Sequence, residues 1–282
     1  MSTPASDAAD YGPLPAGVAR ILAPNPSVMT GPGTNTFLVA DEAAGAVVVI
    51  DPGPDIPDHL RRIAAEVGKR GKARAILVTH GHPDHAEGAD ALRDLLGVPV
   101  YAWSREGVPA MDIALADDEV VAVGGRRLRA LYTPGHRFDH LCLLLEDSAA
   151  LFAGDLIAGE GTVVIAPPEG DLLDYMASLR RLRALHLRLI LPAHGPLLDQ
   201  PQAVLDYYIT HRDEREQQVL AALAAGPRPI MDLTRVVYAE VNPELHPLAA
   251  QSLLAHLQKL ERERRVYRET DAAGNEQWSL GA

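Results

Sequence analysis

Residues 79–85 read Thr79-His80-Gly81-His82-Pro83-Asp84-His85. The stretch follows the apolar run Ala75-Ile76-Leu77-Val78, which reads as a buried strand. It precedes Ala86, Ala89, Leu92 and Leu95, whose spacing predicts an amphipathic helix stopped by Gly97. Four side chains able to bind a metal, His80, His82, Asp84 and His85, thus crowd a strand-to-helix turn. If strand geometry persists past Thr79, His80 and His82 project the same way. Pro83 stiffens the turn, and Asp84 and His85 face the opening from the helix start. Four such groups behind an apolar strand are costly unless a metal or a hydrogen-bond network satisfies them. Thr79 itself reads as the end of its strand.

Three single residues further on gain meaning from this cluster. His136 lies in Thr133-Pro134-Gly135-His136, Asp155 in Ala153-Gly154-Asp155, and His194 in Pro192-Ala193-His194-Gly195. Each follows an apolar run and sits at a turn, where ligands from several strands can converge on one sheet edge. The set then holds five histidines and two aspartates, a count that suits two metals sharing a bridging carboxylate. Imidazole and carboxylate without thiolate fit zinc first, with iron or manganese as alternatives. Two close metals can hold a hydroxide between them and lower its pKa, so the chemistry expected is hydrolysis without an organic cofactor.

The rest of the chain sets the frame. Runs at 47–50, 98–101, 120–123, 128–132, 141–145 and 150–152 read as strands, and 172–185 as a helix with Leu172, Tyr175, Met176, Leu179 and Leu182 on one face. Asp51-Pro52-Gly53 reads as a strand running into a turn. Strands mixed with helices over about 200 residues imply layered sheets covered by helices. After Pro201 the texture changes to helices at 203–225, 230–238 and 247–264, then two short β-like pieces, 265–268 and 276–280, about the turn 271–275. Helix, helix, hairpin is the order of a winged helix. The expected organisation is a leader at 1–15, a catalytic domain at 16–202, and a linker helix with a winged-helix domain at 203–282.

Composition narrows the function classes. At 282 residues the chain can bury roughly three quarters of its unfolded surface, so it needs no staples. The only cysteine, Cys142, lies in the apolar run 141–145 and reads as a small buried hydrophobe. One cysteine excludes an internal disulfide and a four-thiolate zinc site. The net charge of -12 argues against a protein whose whole surface binds polyanions. No apolar run approaches the length of a membrane span, and the first residues lack the pattern of a targeting segment, so a cytoplasmic protein without a membrane partner is expected.

THGHPDH followed by TPGH, AGD and PAHG resembles the metallo-β-lactamase superfamily. The resemblance implies an α/β fold, an αββα sandwich, followed here by the small C-terminal winged-helix domain. It implies His80, His82 and His136 on one metal, Asp84, His85 and His194 on the other, and Asp155 bridging them. Asp84 would also orient the metal-bridging hydroxide nucleophile, which makes it the catalytic residue. Asp155 stands where the superfamily's common β-lactamases carry cysteine, which disfavours antibiotic hydrolysis. His82 stands where the diiron oxygen- or nitric-oxide-reducing relatives carry glutamate. The stretches 25–39, 133–140 and 208–220 further resemble the β-lactamase-like protein 2 branch, whose best-known member is a zinc endoribonuclease acting on single-stranded RNA. The implied reading is a dinuclear zinc hydrolase of single-stranded RNA. The alternative is a thioester or lactone hydrolase, glyoxalase II-like or lactonase-like, acting on a small ester or thioester.

Several residues near the motifs carry open readings. His140, four residues after His136, is expected to hold a ligand carboxylate, with plain packing as the rival. Arg137 either meets an anionic group beside the metals or is an exposed loop arginine. Asn35, His211 and Arg212 fall in stretches shared with the branch and either line the cleft or serve as surface or hinge residues. From residue 200 onward there are nine basic and twelve acidic residues, a net of -3, and Arg262, Arg264, Arg265 and Arg268 alternate with Glu261, Glu263 and Glu269. A module that neutralises phosphates ordinarily shows the opposite sign. Tyr267 and Trp278 are expected to pack the hairpin rather than stack bases.

Overall fold

A computed structural model describes residues 12–270 and 273–281. Most of the expected leader, and Asp271 and Ala272 of the expected turn, lie outside the described residues. The chain divides into two compact units. The first comprises the described residues up to Thr133, then Asp139–Gly161 and His186–Pro201; the second comprises Pro134–Phe138, Thr162–Leu185 and the residues from Gln202 onward.

In the first unit, β1 (Val18–Leu22), β2 (Asn35–Asp41), β3 (Ala46–Ile50), β4 (Lys72–Leu77), β5 (Val100–Ala102) and β6 (Ile113–Ala114) form one sheet in sequence order. Its first two pairings are antiparallel and the remaining three parallel. The second sheet runs β7 (Val120–Val123), β8 (Arg126–Tyr132), β9 (Leu141–Leu145), β10 (Ala150–Gly154) and β11 (Leu189–Pro192), with only the last pair parallel.

The period-two rule shows why the sheets face each other. From β2 to β4, Phe37, Val39, Val48, Ile50, Ala75 and Leu77 enter a core shared with Leu128, Leu141, Leu143 and Phe152 of the second sheet. Their neighbours Leu38, Ala40, Val47, Val49 and Ile76 point the other way, onto α1 (Pro57–Arg70) and α3 (Ala89–Leu96) through Leu60, Ile63, Val67 and Leu92. These strands are buried on both faces, which is why they read as continuous apolar runs. The sequence reading leaves 57–70 unassigned, although Pro57 opens that helix and Lys69 and Arg70 close it.

Two expectations around the histidine turn are corrected. Strand geometry ends at Leu77, before Thr79. The expected single helix is broken into α2 (Pro83–Ala86) and α3, the second ending at Gly97 as predicted. The break falls where Gly88 meets the Asp51-Pro52-Gly53 turn. Gly88 N donates to Gly53 O at 2.9 Å, and a Cβ on Gly88 would come within 2.9 Å of Leu60. The chain bends there to let two backbones touch.

The second unit holds α4 (Leu172–Arg183), α5 (Pro201–Leu223, from Gln202), α6 (Ile230–Val237), a short 3-10 turn (Pro243–Leu245), α7 (His246–Arg262) and the hairpin β12 (Val266–Thr270) and β13 (Glu276–Leu280). Val219, Leu223, Leu233, Leu253, Leu257, Leu260, Val266 and Trp278 make its core. Asp171 caps α4 by accepting from Leu173 N and Asp174 N. The order helix, helix, hairpin matches the expectation, and Arg228 pairs with Trp278 by two main-chain hydrogen bonds beside the hairpin.

Candidate metal centre

The C-terminal ends of β4, β10 and β11 each release a short turn that carries ligand-type side chains. His82 caps α2, so Asp84 and His85 leave the helix's first turn. Asp155 follows β10 and His194 follows β11. In the first unit, His80, His82 and Asp155 offer ligand atoms within 4.8 Å of one another, as do Asp84, His85 and His194. His80 Nε2 lies 2.9 Å from His82 Nδ1. Asp155 reaches both groups: Oδ2 is 3.9 Å from His80 Nε2, while Oδ1 is 3.4 Å from His85 Nε2 and 3.2 Å from His194 Nε2. Asp84 Oδ2 is 3.2 Å from His194 Nε2 and 3.6 Å from His85 Nε2.

His136, the seventh residue of the expected set, stands on the Pro134–Phe138 segment, and its Nδ1 lies 3.0 Å from Val164 O. Donation to that carbonyl leaves Nε2 as the nitrogen able to coordinate.

The electrostatics suit a cation. Burial alone would push His85 down, but Asp155 and Asp51 raise it well above the ordinary histidine value. His194 behaves likewise: burial is outweighed chiefly by Asp155, and it is raised to about 9. Burial would raise Asp155, yet His85 and His194 hold it well below the ordinary carboxylate value, and Asp84 is lowered against its own burial by His194 and His85. The carboxylates therefore make a field that stabilises positive charge. His85 Nε2 is buried with no hydrogen-bond partner, although it faces two carboxylates. A buried imidazole nitrogen without a hydrogen-bond partner, turned toward two carboxylates, belongs to a donor set that fits a metal ion.

The surrounding shell is where sequence reasoning fell short. Asp51, read as part of a turn, is buried at 2% exposure. Its Oδ1 accepts from Thr79 N at 2.8 Å; its Oδ2 accepts from Thr79 Oγ1 at 2.8 Å and from His85 Nδ1 at 2.9 Å. Thr79 Oγ1 also lies 3.1 Å from His80 Nδ1. The network assigns protons to both Nδ1 atoms and turns both Nε2 atoms toward the ligand groups. Asp51 follows five buried apolar residues as the ligands follow theirs, a signal that could have found it. Thr79 therefore does more than end a strand. Asp139, also missed, accepts from Gly81 N at 3.0 Å and so holds the loop between His80 and His82.

His140 is fully buried and meets the Asp155 main chain. Asp155 N donates to His140 Nε2 at 3.1 Å, and Nδ1 lies 3.1 Å from Thr133 Oγ1. Asn35 is buried rather than set on the surface. Its Nδ2 donates to Pro192 O and Gly195 O at 3.0 Å each, tying down the turn that carries His194. Arg137 is buried, which removes the exposed-loop reading; its Nε and Nη2 lie 3.3 Å from the Glu169 carboxylate. His211 is half-buried on α5 and stacks on Tyr207 at 5.9 Å. Arg212 is buried and donates to Val163 O at 2.5 Å. Cys142 is buried, as expected.

A two-sheet α/β sandwich whose strand ends gather histidines and aspartates defines a class of metal-dependent hydrolases. The chain belongs to the metallo-beta-lactamase superfamily, whose profile matches residues 29–194, and the beta-lactamase associated winged helix domain matches residues 230–278. The superfamily binds two metal ions, which agrees with the two ligand groups. A beta-lactamase-like protein 2 homolog of Drosophila melanogaster is 35% identical over 272 residues, covering 89% of each chain. A beta-lactamase domain protein from Burkholderia ambifaria superposes with a TM-score of 0.81 at 22% identity, over 96% of this chain and 93% of that one. TTHA1623, solved in a di-iron-bound form, superposes with a TM-score of 0.53 at 24% identity, over 65% of this chain and 96% of that one.

Proposed function

We propose that the chain is a two-zinc hydrolase that cleaves a phosphodiester bond in single-stranded RNA. The observation that carries the hydrolytic reading is the Asp155 carboxylate, with one oxygen toward each ligand group. In this reading His80, His82 and His136 would hold one ion, Asp84, His85 and His194 the other, and Asp155 would be shared between them. Two such ions supply a hydroxide nucleophile near neutral pH and polarise the scissile bond. Zinc is preferred over iron because imidazole and carboxylate ligands suit it and the reaction needs no electron transfer.

The protein's own groups do the rest. Asp84 stays ionised against its burial and points Oδ2 between His85 and His194, where it would orient the nucleophile. Asp51 and Thr79 keep the imidazoles in the required tautomers. The RNA reading rests on the likeness to the β-lactamase-like protein 2 branch. A cytoplasmic location follows as part of the same reading, in line with the finding that no described helix is long and apolar enough to cross a membrane.

A specific observation favours a second substrate class. A cavity of about 230 Å³ beside His194 is lined by Met29, Pro32, Ala158, Glu160 and Pro196, and by Val28, which is 80% exposed at the tip of its turn. An apolar wall of that size suits the acyl group of a small thioester, ester or lactone.

The test is cleavage of labelled single-stranded RNA by zinc-loaded protein against an Asp84→Ala variant with unchanged circular dichroism. Cleavage by the wild type alone is expected. Full activity in the variant overturns the mechanism; no RNA cleavage with acyl-ester turnover by the wild type moves the substrate to the second class.

A further inference from the structure

A cavity of about 590 Å³ lies in the first unit among α2, α3 and the loop that follows β5. Small-molecule sites span roughly 300–1,000 Å³, so it has room for an organic ligand rather than a lone ion. Ala86, Val108, Pro109 and Ala110 give it an apolar wall. Pro83, Glu87, Asp90 and Pro109 are exposed, so its rim is open to solvent. The proposed hydrolysis uses none of these residues.

The charges of the wall select the sign of the ligand. Arg93 brings a cation, but carboxylates already surround it: Asp90 lies 2.5 Å from Nη2, and Asp94 and Asp112 lie 3.7 Å from Nε and Nη1. Its Nη1 also donates to Ala110 O at 3.3 Å. An entering anion therefore meets a guanidinium whose charge is matched more than once over. Arg105 of the same loop donates to Met111 O at 2.6 Å and does not line the cavity. Glu87 is in the opposite condition. No cation pairs with it among the described residues, and its Oε2 accepts only a long 3.4 Å hydrogen bond from Asp55 N. An unmatched carboxylate at the edge of an apolar wall complements an ammonium or amidinium head on a short apolar body.

The cavity also touches the scaffold of the metal centre. Gly81, between His80 and His82, lines it. The loop after β5 reaches the same residue by a second route. Val108 N donates to Ser104 O at 3.0 Å and Gly107 N to Ser104 Oγ at 3.3 Å. This turn sets Gly107 so close to Asp139 that a Cβ on it would lie 1.7 Å from Oδ2. The same Oδ2 accepts from Gly81 N at 3.0 Å. A ligand packed on Val108 thus bears on the carboxylate that fixes the loop between His80 and His82.

We propose that this cavity binds a small organic cation, an ammonium or amidinium group on a short apolar body, and that its occupancy is felt at the loop carrying His80 and His82. The site does not depend on which bond the metal centre cleaves.

The experiment is a titration of full-length protein with hexylammonium, followed at the assigned amide resonances of Gly81 and Val108. Hexanol and hexanoate serve as the uncharged and anionic counterparts. Saturable shifts at both amides are expected with hexylammonium, about fivefold weaker binding with hexanol, and no shift with hexanoate. Glu87→Gln lowers the affinity for hexylammonium about fivefold, the upper range for a solvent-accessible ion pair, and leaves that for hexanol unchanged. Ala110→Phe fills the space against the apolar wall and abolishes binding of both, with unchanged circular dichroism showing that it folds. Glu87→Gln alters almost no volume, so it decides the matter even where Ala110→Phe misfolds. Hexanol or hexanoate bound as tightly as hexylammonium overturns the cationic assignment. Shifts that avoid Gly81 and Val108, or equal affinity in wild type and Glu87→Gln, overturn the site. The ring resonances of His80 and His82 report the link to the metal loop. They are expected to move with the same midpoint as Val108, and rings that stay still while Val108 shifts overturn that link.

Discussion

The carboxylate of Asp51 accepts three hydrogen bonds, two from Thr79 and one from His85 Nδ1, and through Thr79 it reaches His80. Asp51→Asn keeps the shape but removes the charge and places a donor where one of the acceptors stood. Metal affinity is expected to fall by about 10- to 100-fold, the usual cost of losing such a partner. Competition with a chromogenic chelator measures it, and unchanged affinity removes Asp51 from the account. A different residue sets a pH dependence. His59 is buried beside Thr36, and burial with Arg62 lowers it to about 4. The unfolded chain then binds the extra proton between pH 6.5 and about 4, so stability falls as pH drops through that window and levels off below it. The loss is on the order of 3 kcal/mol. Urea unfolding of chelated protein across this range is expected to show a shallower decline in His59→Gln; parallel curves refute the assignment. The seven ligand-type residues stand out in the sequence because their motifs each follow an apolar run. Asp51 does not, because Asp-Pro-Gly is also a good turn and its partners lie 28 and 34 positions away.

At the scale of elements, the two-sided burial of β2 to β4 made the strands readable as apolar runs, and the capping and stop residues placed α4 to α7 within a few positions of where they lie. Local pattern could not show the Gly88 break, since it comes from contact with the turn at Gly53, 35 residues earlier. The end of β10 raises the same issue. Gly154 adopts φ +50, and a Cβ there would sit 2.6 Å from His140 Nε2 and 2.9 Å from Thr79 Oγ1. Its missing side chain thus lets His140 accept from Asp155 N while Thr79 serves His80. Gly154→Ala meets both a left-handed backbone and a close contact. A loss of roughly 1–3 kcal/mol in urea unfolding is expected, together with weaker metal retention. A variant as stable as wild type, with its metals retained, shows that β10 tolerates the shift and that the close approach is not required.

Over the whole molecule, charge constrains how the proposed RNA substrate would be bound. The net charge is -12, and three of the four arginines near the hairpin are matched: Arg262 with Asp171, Arg265 with Glu216, Arg268 with Glu261. Trp278 is buried at 1% exposure and packs the core, as expected, whereas Tyr267 is 45% exposed, which departs from the packing expected of it. No row of unmatched cations alternating with aromatic faces stands along this hairpin among the described residues. The winged-helix order was legible in the sequence, but the identity of each arginine's partner was not, since the carboxylates come from the cap of α4 and from α5 as well as from α7. If the proposed RNA reading holds, binding would rest on the metal ions and on few phosphate contacts. Each contact to a single strand contributes about 0.7 to the slope of log affinity against log salt. The expected dependence of KM for RNA on salt is correspondingly shallow, a slope of about one, rather than the several units of a polyanion-binding surface. Initial rates of RNA cleavage across a salt series, with zinc in excess, measure it. A steep slope would require an extended cationic face, which the pairing of these arginines does not provide, and would overturn the view that recognition is local to the metal centre.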